Sequence, residues 1–188
     1  MALTLIKEDG TGKVDATSYA DVADGDAYFE AHLYPIPWAT SAADRKAEAL
    51  IMATRLIDAE MQFNGFRAHD NQALQWPRER CPDPDRGLIT ISVLVPFLGT
   101  FVDPDVVPRA LVNATCEMAR ELMIVDRTAA PPGEGLSSAT TGAGATFSSM
   151  WYSKGDTRQV LSHVALAMLA KYGAPIKSGA GAVRLVRV

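Results

Sequence analysis

Apolar residues recur at helical spacing in four stretches of the chain, and flanking residues suggest where each helix begins and ends. The first helix is expected to follow Asp21, whose carboxylate can cap it, with Asp24 as the reciprocal capping partner. The third is expected over residues 108–125, because proline suits the first turn of a helix. The fourth is expected over residues 156–172, where an aspartate can cap its start.

The second helix has the clearest pattern of the four. It is expected to be capped by Ser41 and to end near Gly65. Its apolar stripe consists of Ala47, Leu50, Ile51, Thr54, Ile57 and Met61. Its polar face, which we expect to meet solvent, carries Arg45, Lys46, Glu48, Arg55 and Asp58.

The segments between the helices have weaker patterns. Residues 3–7 suggest a short strand, whereas residues 62–103 are expected to be mostly irregular, with a strand or extended segment at 88–95. Residues 127–155 are rich in glycine, serine and threonine and contain only three charges, which favours a hairpin over a disordered linker. Residues 177–182 resemble a flexible hinge.

These patterns predict a mainly α fold: a small bundle of about four helices with a protruding β-hairpin and an extended C-terminal tail. Residues 1–176 would form a single domain that includes the insert at 127–155, and residues 177–188 would form the tail.

Composition and charge exclude several classes of protein. The chain has 188 residues, of which 48% are hydrophobic and 21% charged, as is typical of a globular domain. No apolar run approaches the ~18 residues of a membrane span, and no secretory signal is expected. The net charge of −4 does not suit a protein that coats nucleic acid. Residues 157–188, however, contain five cations and no acid. Two interpretations are open: the C-terminal part forms a basic end of the molecule, or the cations belong to an ordinary solvated surface.

No stretch has the signature of a catalytic or cofactor site. The chain has two cysteines and three widely separated histidines, so we expect no metal. Gly10-Thr-Gly12-Lys13 hints at a phosphate loop but lacks the preceding glycine and the following serine or threonine, which favours a turn. We therefore expect no enzyme activity and no cofactor.

One segment mixes aromatic and cationic residues, as base-stacking platforms do. It contains Phe63, Arg67, Trp76, Pro77 and Arg78. The favoured interpretation is a structural anchor, in which the aromatics hold the loop onto the helices. The alternative is a contact surface for single-stranded DNA.

Several blocks of the sequence together resemble the head–tail connector, or adaptor, proteins of tailed bacteriophages, some of which are labelled primosomal DnaT-like single-strand DNA-binding proteins. The blocks are Ser18-Tyr19 with residues 22–29, residues 47–58, Phe63-x-Gly65-x-Arg67, Gln72 to Arg78, residues 107–119 and Gly179 to Arg187. They cover most of the chain outside residues 81–104 and 127–155.

The resemblance implies a structural virion protein that forms a ring, typically a dodecamer, in the neck of the particle. The ring would join the portal protein to the tail, stopper or tail-terminator protein, and genomic DNA would pass through it without sequence-specific binding. Such a protein would be assembled in the host cytoplasm and would not contact a membrane. The alternative function is a single-stranded DNA-binding replication-accessory protein, supported by a local patch at Arg67, Trp76, Arg78 and Arg80.

The C-terminal end alternates apolar and basic residues after a Gly-Ala hinge. We expect it to dock on the portal by adding a strand to a sheet edge, with its two arginines meeting acidic groups. The docking residues would be Val183, Arg184, Leu185, Val186, Arg187 and Val188. The alternative is a strand in the protein's own sheet, paired with residues 3–7.

Overall fold

The computed structural model describes residues 4–85, 101–130, 138–143, 146–151 and 159–176. Within these ranges there are four α-helices: α1 (Val22–Glu30), α2 (Ala43–Glu60), α3 (Arg109–Ile124) and α4 (His163–Leu169). A short 3-10 helix, Trp38–Thr40, lies between α1 and α2. None of these helices combines the length and hydropathy that crossing a membrane requires.

The described strands form three separate two-stranded antiparallel sheets. Strands β1 (Met61–Phe63) and β6 (Gly173–Pro175) form the first, and β2 (Phe66–Arg67) and β3 (Arg78–Glu79) form the second. Strands β4 (Ser138–Ala143) and β5 (Thr146–Trp151) form the third, which is the hairpin predicted for the glycine-rich insert. The prediction of a mainly α helical bundle is therefore wrong, because small sheets complete a mixed α/β fold.

Two of the predicted helices begin or end elsewhere. Ser41 does not cap α2, because its hydroxyl donates to the carbonyl of Pro37 instead, at 2.9 Å. The helix ends at Glu60 rather than near Gly65, since the chain enters β1 at once. Helix α4 begins at His163 rather than near residue 156, because the side chain of Ser162 caps it by accepting the N–H of Ala165. It ends at Leu169 and is therefore only seven residues long.

The other helices follow their sequence signals. Asp21 and Asp24 form the predicted capping box at the start of α1, each carboxylate accepting the other's backbone N–H. Helix α3 matches its predicted range closely. Residues 3–7 do not form the predicted strand in the described part: Lys7 makes only an isolated bridge with Ser18. The predicted strand at 88–95 and the tail at 177–188 lie outside the described residues.

The core lies where α3 packs against α2 on one side and α4 on the other. Its fully buried apolar side chains include Leu50, Ile57, Leu111, Met118 and Leu169. Helix α1 adds Phe29, and it packs over Trp38 because Gly25 lacks a side chain. A Cβ at Gly25 would lie 2.2 Å from the indole of Trp38, closer than any side chain can approach.

A buried carboxylate on α3 links it to α1. Glu117 Oε1 accepts a hydrogen bond from Tyr28 Oη at 3.0 Å and lies 3.2 Å from His32 Nε2. Its other oxygen, Oε2, lies 3.0 Å from the guanidinium of Arg120. Burial and the charge of Glu117 raise the pKa of Tyr28 to about 12. These contacts satisfy Glu117 completely, so we interpret the cluster as structural.

Trp76 is fully buried and lies between two aromatic rings. The rings of Phe63 and Tyr172 each lie 5.9 Å from it in edge-to-face geometry. These contacts join the loop after β2 to β1 and to the end of α4.

We expect Trp76→Ala to lower the free energy of unfolding by about 3–5 kcal/mol, because it removes a large buried ring and leaves a cavity. Urea unfolding measures the change. Leu33→Ala is the matched control: this side chain is 87% exposed, so its truncation should change stability by about 0.5 kcal/mol or less. Equal effects of the two substitutions would contradict the assigned packing.

Candidate nucleic-acid interface at the β2–β3 ribbon

The side chain of Arg78 holds the start of the β2–β3 ribbon from inside. Its Nε donates to the carbonyl of Asn64 at 2.8 Å, and a terminal nitrogen donates to that of Gly65 at 2.7 Å and to that of Phe63 at 3.3 Å. The other terminal nitrogen donates to the backbone and side-chain oxygens of Gln75, both at 3.1 Å. Because Arg78 is buried and its donors are committed to these oxygens, it cannot serve a phosphate.

A tyrosine and an aspartate hold the turn that precedes Arg78. Tyr19 Oη donates to Asp58 Oδ1 and accepts the backbone N–H groups of Gln75 at 3.0 Å and Trp76 at 3.2 Å. Asp58 Oδ2 also accepts the N–H of Gln75, at 3.1 Å. The buried backbone donors of the turn are therefore satisfied by side chains from two other segments.

Asp58 was expected on the solvent-exposed face of α2, but its carboxyl group is buried against this turn. Burial raises its pKa from the ordinary 3.8 to about 6. Hydrogen bonds from Tyr19 and Gln75, and the positive charges of Arg67 and Arg78, act in the opposite direction. The pKa of Tyr19 is raised well above its ordinary value by its own burial and by the neighbouring Asp58.

The β2–β3 ribbon and the residue that follows it carry an exposed aromatic ring and two exposed arginines. Phe66 is 66% exposed, and Arg67 and Arg80 are also exposed. Neither arginine forms an ion pair within the described part of the chain, where most other cations do. The paired cations are Lys7, Lys13, Arg45, Lys46, Arg120, Arg127 and Lys171.

The pairing of the two strands fixes how these groups are presented. Phe66 lies opposite Glu79, and Arg67 lies opposite Arg78. Because successive side chains of a strand point to opposite faces, Phe66 and Arg67 lie on opposite sides of the ribbon. The ring and this arginine therefore do not share one face of the ribbon.

The structure divides the predicted loop anchor into two parts. Phe63, Trp76, Pro77 and Arg78 are buried inside it, whereas Arg67 is exposed. The buried position of Trp76 excludes it as a surface for stacking bases. The predicted portal-docking residues, 183–188, lie outside the described residues.

Sequence reasoning missed the exposed position of Phe66 and the roles of Tyr19 and Asp58. The Asn64-Gly65 dipeptide before Phe66 is a turn signal that could have placed this residue at the surface. Nothing in the sequence pairs Tyr19 with Asp58, because their contact depends on how the loop before α1 packs on α2.

The loop that hinted at phosphate binding is filled by the chain's own carboxylate. Buried Glu8 accepts the backbone N–H groups of Gly10 and Gly12, each at 2.9 Å, through Oε1. Its Oε2 accepts the N–H of Lys13 at 2.8 Å. Gly10 and Gly12 have φ values of 103° and 71°, which place these donors around one anion. Glu8 takes the place that a phosphate would need.

The described residues contain no group of three or more histidine, cysteine or acidic side chains that could hold a metal ion. Both cysteines, Cys81 and Cys116, are buried, and burial raises the pKa of each thiol, that of Cys116 to about 12. Neither has the lowered pKa of a reactive thiolate.

Comparison with known proteins identifies the family of this chain. A family model described as "Putative DnaT-like ssDNA binding protein" matches residues 3–188, nearly the whole chain. No curated protein and no solved structure matches the chain. The match confirms the DnaT-like part of the resemblance and favours the alternative function over the head–tail connector, which no comparison supports.

The raised pKa of Asp58 predicts a defined pH dependence of stability. A carboxyl group that binds its proton more tightly when folded contributes stability that is present below about pH 4 and lost as the pH rises through 6. The loss should reach about 3 kcal/mol, since one pKa unit corresponds to about 1.4 kcal/mol. Asp58→Asn should abolish this component.

Urea unfolding at several pH values between about 4 and 7 tests it. Asp44→Asn, the same change at an exposed position on α2, should retain the wild-type pH profile. An unchanged profile in Asp58→Asn would show that Asp58 titrates with no difference between the folded and unfolded states.

Proposed function

Because the chain belongs to the DnaT-like single-stranded DNA-binding family, we propose that it binds single-stranded DNA as a replication-accessory protein without catalytic activity. The observation that carries this proposal is the family match over residues 3–188. The β2–β3 ribbon is where we place the contact, because Arg67 and Arg80 are exposed and free of ion pairs within the described residues.

The chemistry of the ribbon suits this ligand. An unpaired arginine can neutralise a phosphate, and an exposed phenylalanine can stack on any base, since every base has a flat π-face. The site is small, and the chain's net charge of −4 adds no long-range attraction. We therefore expect weak, sequence-tolerant and strongly salt-dependent binding.

Fluorescence anisotropy of labelled oligothymidylate, measured over a range of salt concentrations, tests the proposal. Arg67→Ala and Arg80→Ala should each weaken binding and reduce the salt slope by about 0.7, the value for one lost single-strand phosphate contact. Phe66→Ala should weaken binding by about 1–3 kcal/mol with little change in slope.

Arg45→Ala is the matched control, because Arg45 is exposed but paired with Glu48 at 3.1 Å. It should leave both affinity and slope unchanged. Wild-type protein that shows no salt-dependent binding would refute the proposal, and equal losses in Arg45→Ala would refute the placement on the ribbon.

A second candidate function is the neck adaptor implied by the resemblance, which we propose as a ring of identical subunits between portal and tail. It is favoured by the net charge of −4, since an acidic ring would repel passing DNA rather than trap it. In this case residues 183–188 would dock on the portal, and localisation would be the virion neck.

Deletion of residues 179–188 tests the adaptor function. We expect a subunit with normal thermal stability that fails to bind portal and yields heads without tails, because the basic and apolar end would supply the contact. Wild-type portal affinity in the truncated protein would place docking elsewhere, and an unfolded product would assign the segment to the domain.

A further inference from the structure

The hairpin β4–β5 differs from the other two sheets in how its edges are protected. Its strands are six residues each and pair in continuous register from Ser138↔Trp151 to Ala143↔Thr146. No other described strand pairs with either edge. Residues 138–151 contain no charged residue and no proline, in a chain that is 21% charged.

The other sheets have short strands with blocking residues. Strands β2 and β3 are two residues long and carry Arg67, Arg78 and Glu79. Strand β6 is three residues long and ends at Pro175. Natural proteins protect free edges in this way, because an unpaired row of N–H and C=O groups readily accepts another strand. The hairpin lacks these features on both of its edges.

From this contrast we infer that β4–β5 is an interface between copies of this chain, in which β5 of one subunit pairs with β4 of the next. An edge of six residues is about 20 Å long, and about half of its backbone groups face away from the hairpin partner. The exposed side chains of Met150, 58% exposed, and Trp151, 82% exposed, would be covered by the neighbouring copy.

Electrostatics favours a second copy as the partner. Each subunit carries a net charge of −4, so two copies repel over most of their surfaces. The uncharged hairpin is a surface on which they can approach without like charges meeting. Each hairpin offers one β4 edge and one β5 edge. Head-to-tail pairing joins the β5 edge of one subunit to the β4 edge of the next. Every edge is then paired only if the subunits close into a ring.

This inference does not depend on single-stranded DNA binding, and it names the subunit interface that the adaptor function would need. Its test is the oligomeric state of the full-length protein, by native mass spectrometry and light scattering. Wild type should form one closed oligomer. Thr141→Lys in β4 and Ser148→Lys in β5 should each lose it, because each places a charge on one edge.

Mixing the two variants gives the sharpest result. Thr141→Lys retains an intact β5 edge and Ser148→Lys retains an intact β4 edge, so the mixture should form a one-to-one heterodimer that cannot grow. A two-fold pairing of β4 with β4 would instead survive in Ser148→Lys alone, and would overturn the head-to-tail arrangement.

Thr40→Lys is the matched control, since it adds the same charge at an exposed threonine outside the sheets. It should keep the wild-type oligomer, and all variants should keep the wild-type circular-dichroism spectrum, which shows that each subunit still folds. A monomeric wild-type protein would overturn the inference. This includes a monomer in which the chain's own residues 183–188 cover an edge of the hairpin. So would an unchanged oligomer in both hairpin variants. Loss of portal binding with an intact ring would instead contradict only the adaptor function.

Discussion

The burial of the Trp76–Pro77 turn is the constraint on which the rest of the structure depends. Burying a turn removes its N–H and C=O groups from water, and each group left unpaired costs about 1–3 kcal/mol. Tyr19 and Asp58 accept the turn's donors, and Arg78 donates to carbonyls on both sides of it. Because Tyr19 and Asp58 come from two distant segments, and Arg78 reaches back to the carbonyls of residues 63–65, satisfying the turn also fixes how these segments pack.

The same constraint determines which cations remain at the surface. Arg78 is committed to interior oxygens, so an arginine that looks available in the sequence is withdrawn from any ligand. Arg67, directly opposite Arg78 on the neighbouring strand, stays exposed while its charge still influences Asp58. A single aromatic and cationic segment thus divides into an inner part that holds the fold and an outer part that stays at the surface.

The sequence predicted best the features that depend on neighbours in the chain. The capping box at Asp21 and the amphipathic stripe of α3 are local, and both were found. The short strands were missed, because two or three residues carry no measurable period and their pairing depends on tertiary packing, as for Met61 with Pro175. Asp58 was assigned to solvent because periodicity along α2 cannot show that a distant turn covers that face.

The two surfaces proposed for binding depend on different forces, and this separates them experimentally. The ribbon offers arginine charges to phosphates. This interaction weakens as the salt concentration rises, because salt ions compete for the same charges. The hairpin offers backbone hydrogen bonds and uncharged side chains, which salt ions do not displace. Added salt also screens the repulsion between the acidic subunits and so helps them to associate. Raising the ionic strength should therefore weaken one interaction while preserving or strengthening the other. An acidic chain can combine both proposed interactions because the ribbon places two exposed, unpaired arginines near an exposed aromatic ring, while the longest uncharged strands of the described residues lie in the hairpin.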